Sequence, residues 1–200
     1  MTDQTTVRAD SRPTFFGSTR AFGVAMAIMG VIGLIAAFVL SIEAQRLRAD
    51  PNYVPSCTFN SVLSCTDVMQ SEQGMAFGFP NTWIGFMGFP MVILLGLALA
   101  SGVKFPRWMW WGMVVGLGAG IGFVHWLAFN AIYVIIALCP YCMVVWTIMM
   151  PLFVMTLVKT INDGARAKGN QPHILWWHGA IIVVVWYAAV LFLILDQFVF

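Results

Sequence analysis

The four cysteines are the residues of this chain best suited to chemistry, and they form two groups. Cys57 and Cys65 have seven residues between them, and Cys139 and Cys142 lie in a Cys-Pro-Tyr-Cys sequence. A Cys-x-x-Cys at the start of a helix places its thiols near the positive end of the helix dipole, which stabilises thiolate. Thiolate is the attacking species in disulfide exchange, and a stabilised thiolate is a good leaving group. The motif therefore favours redox chemistry.

Two other roles are compatible with the same cysteines. Cys139 and Cys142 could form a structural disulfide, or could share a zinc ion with the other two, although zinc sites usually repeat the Cys-x-x-Cys spacing. Four cysteines can pair in three ways, and the spacings favour Cys57 with Cys65 and Cys139 with Cys142. The predictions that follow use the redox role and no bound metal.

The loop that carries Cys65 also shows a helix start. Ser64-Cys65-Thr66-Asp67 has the form of a capping box, which predicts a short helix that continues at the membrane surface. Cys57 instead follows Pro51 and Pro55 in an extended stretch. A loop with one cysteine pair beside a fixed pair is suited to passing a disulfide from one pair to the other.

The composition indicates that the elements positioning these cysteines lie in a membrane. Hydrophobic residues make up 60% of the chain and charged residues only 9%, against about 25% charged residues in ordinary soluble domains. The net charge of +2 does not favour a nucleic-acid partner. A span needs about 20 apolar residues, and five runs qualify: 22–42, 82–100, 108–129, 139–158 and 174–195. The sequence therefore predicts an all-α integral membrane protein.

The lysines and arginines predict how the spans are oriented. Eight of the ten fall on the side of the N-terminal segment and the second and fourth loops, and this side is expected to be cytoplasmic. All four cysteines and the C-terminus then lie on the outer, periplasmic face of the inner membrane, where disulfides persist. The N-terminal segment lacks the pattern of a signal peptide, so the first span is expected to be an uncleaved anchor.

The chain divides accordingly. We expect a cytoplasmic tail (1–20), a catalytic core (21–158) with its outer loop (44–81), a cytoplasmic loop (159–173), and a fifth span with a short outer C-terminus (174–200). Gly112, Gly116 and Gly120 recur every four residues in the third span, which predicts close helix packing. His125 lies in the same span, where it is either a structural hydrogen-bonding group or a proton relay or quinone contact.

Electrons released by thiol oxidation need an acceptor. The chain has neither a haem-type Cys-x-x-Cys-His nor a Gly-x-Gly-x-x-Gly motif, so a lipid quinone is the expected acceptor. Asn81 and Tyr133 are the candidate hydrogen-bond donors near Cys142. The aromatic residues that could wall the ring are Phe79, Trp83, Phe86 and Trp146, although most such residues belong to the interfacial belt.

An ordered set of motifs falls on these spans: Cys57-x7-Cys65, Ser71, Phe77-Gly78-Phe79-Pro80-Asn81-Thr82-Trp83-Ile84-Gly85 and Cys139-Pro140-Tyr141-Cys142. Together they resemble the vitamin K epoxide reductase family in its bacterial form. The resemblance implies a four-helix transmembrane bundle around a quinone site, with the fifth helix outside it. It implies that Cys57 and Cys65 are a shuttle pair and that Cys139 and Cys142 are the active-site pair.

The resemblance also implies individual roles. Cys142 would lie beside the quinone, Cys139 would exchange with Cys65, and Cys57 would contact the thiol partner. Asn81 would bond a quinone carbonyl, and Ser71 would support the loop. Trp146 stands where vertebrate members have a tyrosine that bonds the other quinone oxygen, so a second bond there would need the Trp146 indole N–H or another donor.

The predicted function is that of a membrane thiol:quinone oxidoreductase. It would oxidise a separate thioredoxin-fold, DsbA-like protein, since no such domain follows the fifth span, and it would reduce menaquinone, ubiquinone or a vitamin K-type quinone. A DsbB-like oxidase is an alternative, but its Cys-x-x-Cys lies in the first outer loop. The alternative of another class is a non-enzymatic membrane bundle or transporter stapled by disulfides.

Overall fold

The computed structural model describes residues 19–170 and 176–199. Its helices are α1 (Thr19–Ala49), α2 (Cys65–Gln70), α3 (Thr82–Ala100), α4 (Arg107–Asn130), α5 (Pro140–Ala167) and α6 (Trp176–Phe198). A 3-10 turn covers Glu72–Met75, and a π-helical turn covers Ala131–Ile135. Within the described ranges, five helices (α1 and α3 to α6) are long and apolar enough to cross a membrane. The predicted all-α membrane fold is confirmed.

The helix bounds differ from the predicted spans mainly at two ends. Helix α3 has the predicted bounds, whereas α1 continues past Ile42 to Ala49 and α5 past Val158 to Ala167. Hydropathy marks only the apolar part of a helix, and both extensions carry charged residues. The N-terminal segment 1–18 and residues 171–175, including the predicted start of the fifth span at Ile174, lie outside the described residues. The domain boundaries therefore stay predictions.

Helices α1 and α3 pack with their backbones in close approach. A Cβ added to Gly23 would lie 2.6 Å from the carbonyl oxygen of Gly96, and one added to Gly96 would lie 2.7 Å from the backbone nitrogen of Ala27. Only glycine allows this distance between helices. The small residues at this interface join the two helices along their length.

The glycines of α4 do not bring two helix backbones into close approach as those of α1 and α3 do. Among the described residues, an added Cβ would meet nothing within 4 Å at Gly112 or Gly116, whereas one at Gly120 would be crowded by Met149 Cε at 2.7 Å. The prediction of close packing is therefore wrong for Gly112 and Gly116. A four-residue spacing identifies a smooth helix face, but it does not say whether another helix covers that face.

The two ends of the bundle differ in chemistry. We call the end that holds the loop 50–81, the π-helical turn and the start of α5 the cysteine end. The opposite end is called the basic end. It carries all the described lysines and arginines except Arg46 and Arg48: Arg20, Lys104, Arg107, Lys159, Arg166 and Lys168. At that end Lys159, 4% exposed, pairs with Asp163 at 3.1 Å and lies over the rings of Phe22 and Trp110. It thereby links α1, α4 and α5.

Two side-chain hydrogen bonds between described residues help to attach helix α6 to α4 and α5. The Trp186 indole donates to His125 Nε2 at 2.6 Å, and the Tyr187 hydroxyl donates to the carbonyl of Thr147 at 2.6 Å. Because His125 Nε2 accepts, its Nδ1 carries the hydrogen and donates to the carbonyl of Ile121 at 2.8 Å. Both ring nitrogens of His125 are thus engaged in helix contacts.

Candidate redox site

The two cysteine pairs meet at the cysteine end. Cys57 and Cys65 form a disulfide, as their spacing favoured, whereas Cys139 and Cys142 are free thiols. Cys65 Sγ lies 3.0 Å from Cys139 Sγ. Cys57, Cys65 and Cys139 are 3%, 0% and 1% exposed. The sulfurs are therefore in direct contact in a dry environment, where a thiolate of one pair can attack the other.

A short β-bridge holds Cys65 against Cys139. The backbone N–H of Ser64 donates to the carbonyl of Leu138 at 3.0 Å, and the N–H of Leu138 donates to the carbonyl of Val62 at 2.7 Å. These residues directly precede the two cysteines, so the bridge sets the distance between the sulfurs. No local pattern in the sequence predicts this backbone bridge, because the two segments are far apart along the chain.

The predicted helix start at Cys65 is confirmed, but its predicted continuation is not. Ser64 Oγ accepts a hydrogen bond from the backbone N–H of Asp67 at 3.3 Å, and α2 begins at Cys65. The predicted continuation is not one helix, because Ser71 separates α2 from the following 3-10 turn. This helix start fixes the Cys65 side chain toward Cys139.

The start of α5 sets the environment of Cys139. Cys139 is the residue before Pro140 at the N-terminus of the helix, as the Cys-x-x-Cys motif predicted. A hydrogen bond from the Cys142 thiol is the main cause that lowers the pKa of Cys139; burial opposes the shift, and the backbone N–H groups of Cys142 and Tyr141 reinforce it. A lowered pKa makes Cys139 the better leaving group in exchange with Cys65.

A cavity of about 760 Å³ extends from the cysteines into the bundle. Cys139, Cys142 and Trp146 line one end of it, and Trp108 lines the other. Along α4 the lining runs from Trp108 to Leu127, which corresponds to about 28 Å at about 1.5 Å per residue. Its walls come from α1, α3, α4 and α5 and are predominantly apolar. The uncovered glycines of α4 form part of these walls.

Asn81 supplies a polar group to this apolar cavity. Its Nδ2 donates to the carbonyl oxygen of Gln73, and its buried Oδ1 has no hydrogen-bond partner among the described residues. A buried polar atom without a partner calls for an explanation, and a bound ligand is one. The amide retains one free N–H and a free oxygen. A ring that bears carbonyl or hydroxyl oxygens, with an apolar body and tail, fits this set of groups.

Two more of the residues singled out from the sequence line the cavity. Trp146 is 4% exposed and faces it from α5. Ser71 lines it at the loop, where its hydroxyl donates to the carbonyl of Val68 at 2.8 Å and accepts from the N–H of Gly74 at 3.0 Å. Ser71 thus shapes the turn beside Asn81.

Phe79, Trp83, Phe86 and Tyr133 lie outside the lining. Phe79 stacks on Trp83, Phe86 stacks on Phe38, and Tyr133 packs against Phe129. Nearness in sequence does not determine which face of a helix a residue occupies: Trp83, two positions after Asn81, lies on a different side of α3.

Phe77 and Phe123 are lining residues that sequence reasoning missed. Their ring centroids lie 5.6 Å apart, so the loop before α3 touches α4 across the cavity. Gly78 adopts a positive φ of 79°, which lets the chain turn between Phe77 and Phe79. The series Gly116, Gly120, Phe123 and Leu127 follows helical spacing on one face of α4, and this signal could have identified Phe123.

Comparison with known proteins adds one match. The sequence model described as the Vitamin K epoxide reductase family matches residues 24–157, a range that contains all four cysteines and Asn81. No curated protein matches the chain.

Proposed function

Since this chain belongs to the vitamin K epoxide reductase family, we propose that it is a membrane thiol:quinone oxidoreductase that generates disulfides. The family implies an oxidoreductase and is in general coupled to quinones. The observation that carries the proposal is the 3.0 Å contact between Cys65 and Cys139 sulfurs at one end of an apolar cavity. The electron donor is a separate thioredoxin-fold, DsbA-like protein.

The proposed exchange begins at the shuttle pair. The partner's dithiol reduces the Cys57–Cys65 disulfide and becomes a disulfide itself. The Cys65 thiolate then attacks Cys139 in a Cys139–Cys142 disulfide, forms the Cys65–Cys139 bond and releases the Cys142 thiolate. Finally the Cys57 thiolate attacks Cys65, restores the Cys57–Cys65 disulfide and releases Cys139. Two electrons have then moved from the partner to Cys139 and Cys142.

The redox state of the cysteines supports this order. Cys57 and Cys65 are joined, and Cys139 and Cys142 are free thiols, which is the distribution expected after the internal exchange. The lowered pKa of Cys139 also supports its role as the group displaced from Cys65.

The last step regenerates the Cys139–Cys142 disulfide. When bound in the cavity, a quinone would supply the oxidant for the two electrons and two protons that the Cys139 and Cys142 thiols release. Cys142 gives up the electrons where it faces the cavity, and Cys139 closes the disulfide with it. The free N–H of Asn81 would hold a carbonyl oxygen of the ring, and Asn81 Oδ1 could accept a hydrogen bond from a ring hydroxyl. Trp146 walls the ring, and Ser71 supports the turn next to Asn81.

The length of the cavity supports a quinone with an apolar tail. The cysteine end would hold the ring, and the channel along Gly120, Gly116 and Gly112 continues toward the basic end. Menaquinone, ubiquinone and vitamin K share this division into a polar ring and an isoprenoid tail. In the cell the cysteine end faces the periplasm and the basic end the cytoplasm, as the distribution of lysine and arginine predicts.

Quinone reduction in detergent tests the proposal directly. With a small dithiol as donor, wild-type protein should reduce a quinone, followed by ultraviolet absorbance, and Cys142→Ala should abolish turnover. Met143→Ala, the neighbouring residue that does not line the cavity, is the matched control and should remain active. If wild type reduces none of several quinones although its cysteines can be reduced, the bundle is a structural or transport protein stapled by disulfides.

A further inference from the structure

We infer that Glu43 is a positioning residue, which fixes the segment before Cys57 to α1 and so keeps Cys57 within reach of Cys65. Glu43 lies in the part of α1 that extends beyond the predicted span, and no motif singles it out. The inference rests on the proposed function for its role in turnover, but the attachment itself is a property of the fold.

Glu43 is buried and binds two residues of this segment. It is only 5% exposed. One carboxylate oxygen, Oε2, accepts from the Tyr53 hydroxyl at 2.8 Å and from the backbone N–H of Ser56 at 3.4 Å, and Oε1 accepts from Ser56 Oγ at 2.9 Å. Ser56 directly precedes Cys57. A carboxylate suits the position because it only accepts hydrogen bonds and offers two oxygens to several donors.

A second contact strengthens the attachment. Arg46, one helical turn beyond Glu43, donates to the Tyr53 hydroxyl at 3.3 Å and has its guanidinium carbon 6.0 Å from the ring centroid. Tyr53 is thus held between Glu43 and Arg46, both on α1. A helix is a rigid support, whereas residues 50–56 contain no helix of their own.

The two cysteines of the shuttle pair are therefore fixed to different elements. The bridge between Leu63 and Leu138 attaches the Cys65 side to the start of α5, and Glu43 attaches the Cys57 side to α1. The disulfide connects the two sides only while it is closed. When Cys65 is bonded to Cys139, Cys57 is a free thiol, and the attachment to Glu43 keeps it beside Cys65 for the final attack.

The first test measures the shuttle disulfide without any quinone. The full-length protein is equilibrated with reduced and oxidised dithiothreitol at varied ratios, and the reduced fraction of Cys57 and Cys65 is measured by alkylation and mass spectrometry. In Glu43→Ala, the Cys57–Cys65 pair should be half-reduced at a ratio of reduced to oxidised dithiothreitol about tenfold lower than in wild type. The reason is that a loosened Cys57 has a lower effective concentration beside Cys65. Glu43→Gln, which keeps one acceptor oxygen, should lie between them.

Two further variants secure the comparison. Glu72→Ala removes an exposed glutamate from the same loop and should match wild type. The double variant Tyr53→Phe and Ser56→Ala removes both hydroxyl donors and leaves Glu43 in place, so it should shift the ratio in the same direction even if Glu43→Ala does not fold.

The second test follows turnover with a dithiol and a quinone. After an acid quench, Glu43→Ala should accumulate the Cys65–Cys139 mixed disulfide, since Cys57 returns to Cys65 more slowly. A general loss of folding would not produce this species. If the redox ratio shifts but wild type reduces no quinone, the attachment stands and the proposed function fails. If wild type turns over and neither readout differs in the Glu43 or the double variant, the inference is overturned.

Discussion

At the scale of the residue, the burial of the Cys57 sulfur determines which exchange reactions the shuttle disulfide can undergo. In the proposed cycle the partner's thiolate must reach the shuttle disulfide, yet Cys57 is 3% exposed and Cys65 is fully buried. Leu40, Val68 and Tyr141 pack around these sulfurs. The state described here therefore favours internal exchange between Cys65 and Cys139, and exchange with a partner requires the loop to open.

Removal of Cys57 should separate the two kinds of donor. Cys57→Ala leaves Cys139 and Cys142 able to be reduced directly by a small dithiol, so quinone reduction with dithiothreitol should persist. Turnover with a thioredoxin-fold protein should be abolished, because the shuttle disulfide cannot form. Both rates are measured from quinone absorbance. Equal loss with both donors would contradict the proposed order of exchange.

At the scale of the element, the uncovered face of α4 decides what the cavity can hold. Gly116 borders the cavity and has open space around its Cα, so a larger side chain there fills the channel between the cysteine end and the basic end. The wall of this channel is a property of helix packing, since α4 contacts α5 but no described residue covers Gly116.

Gly116→Leu should therefore discriminate between quinones by tail length. We expect the KM for a quinone with a long isoprenoid tail to rise by about tenfold, which corresponds to about 1.4 kcal/mol, while a short-tail analogue is reduced as by wild type. Gly122→Leu is the matched control, because Gly122 is also unobstructed on α4 but does not line the cavity. An equal effect of both variants on both quinones would show that the channel does not hold the tail.

At the scale of the whole molecule, the separation of charge between the two ends predicts the orientation. Arg46 and Arg48 are the only described basic residues at the cysteine end, and the basic end carries six. Positive residues are retained on the cytoplasmic side. The cysteines should consequently face the periplasm, where a disulfide-forming reaction has its substrates.

Labelling of introduced cysteines measures this orientation. Ala49→Cys and Ala167→Cys place exposed thiols at the ends of α1 and α5, on opposite sides of the bundle. A membrane-impermeant maleimide should label Ala49→Cys in intact cells and Ala167→Cys only after permeabilisation, with wild type giving the background. The reverse pattern would place the redox site in the cytoplasm.

Much of the fold was predictable because membranes impose simple rules. The uncharged run 82–100 is α3 to the residue, and Pro140 after Cys139 marks the start of α5. The disulfide between Cys57 and Cys65 followed from spacing. The aromatic residues that line the cavity were harder to predict. Phe79, Trp83, Phe86 and Tyr133 are aromatic like the lining residues but lie elsewhere. Only the rotation of each helix separates them from Phe77, Phe123 and Trp146.

The sequence by itself determined the membrane-spanning class and the family, and its spacing favoured the Cys57–Cys65 disulfide, because these depend on hydropathy, spacing and order along the chain. Tertiary structure alone decided that a backbone bridge holds the Cys65 and Cys139 sulfurs 3.0 Å apart, that Asn81 Oδ1 lies buried without a partner among the described residues, and that Glu43 holds the segment before Cys57. Each of these contacts joins segments from different helices or loops. Such contacts depend on how helices rotate and pack, which local patterns in a sequence do not encode.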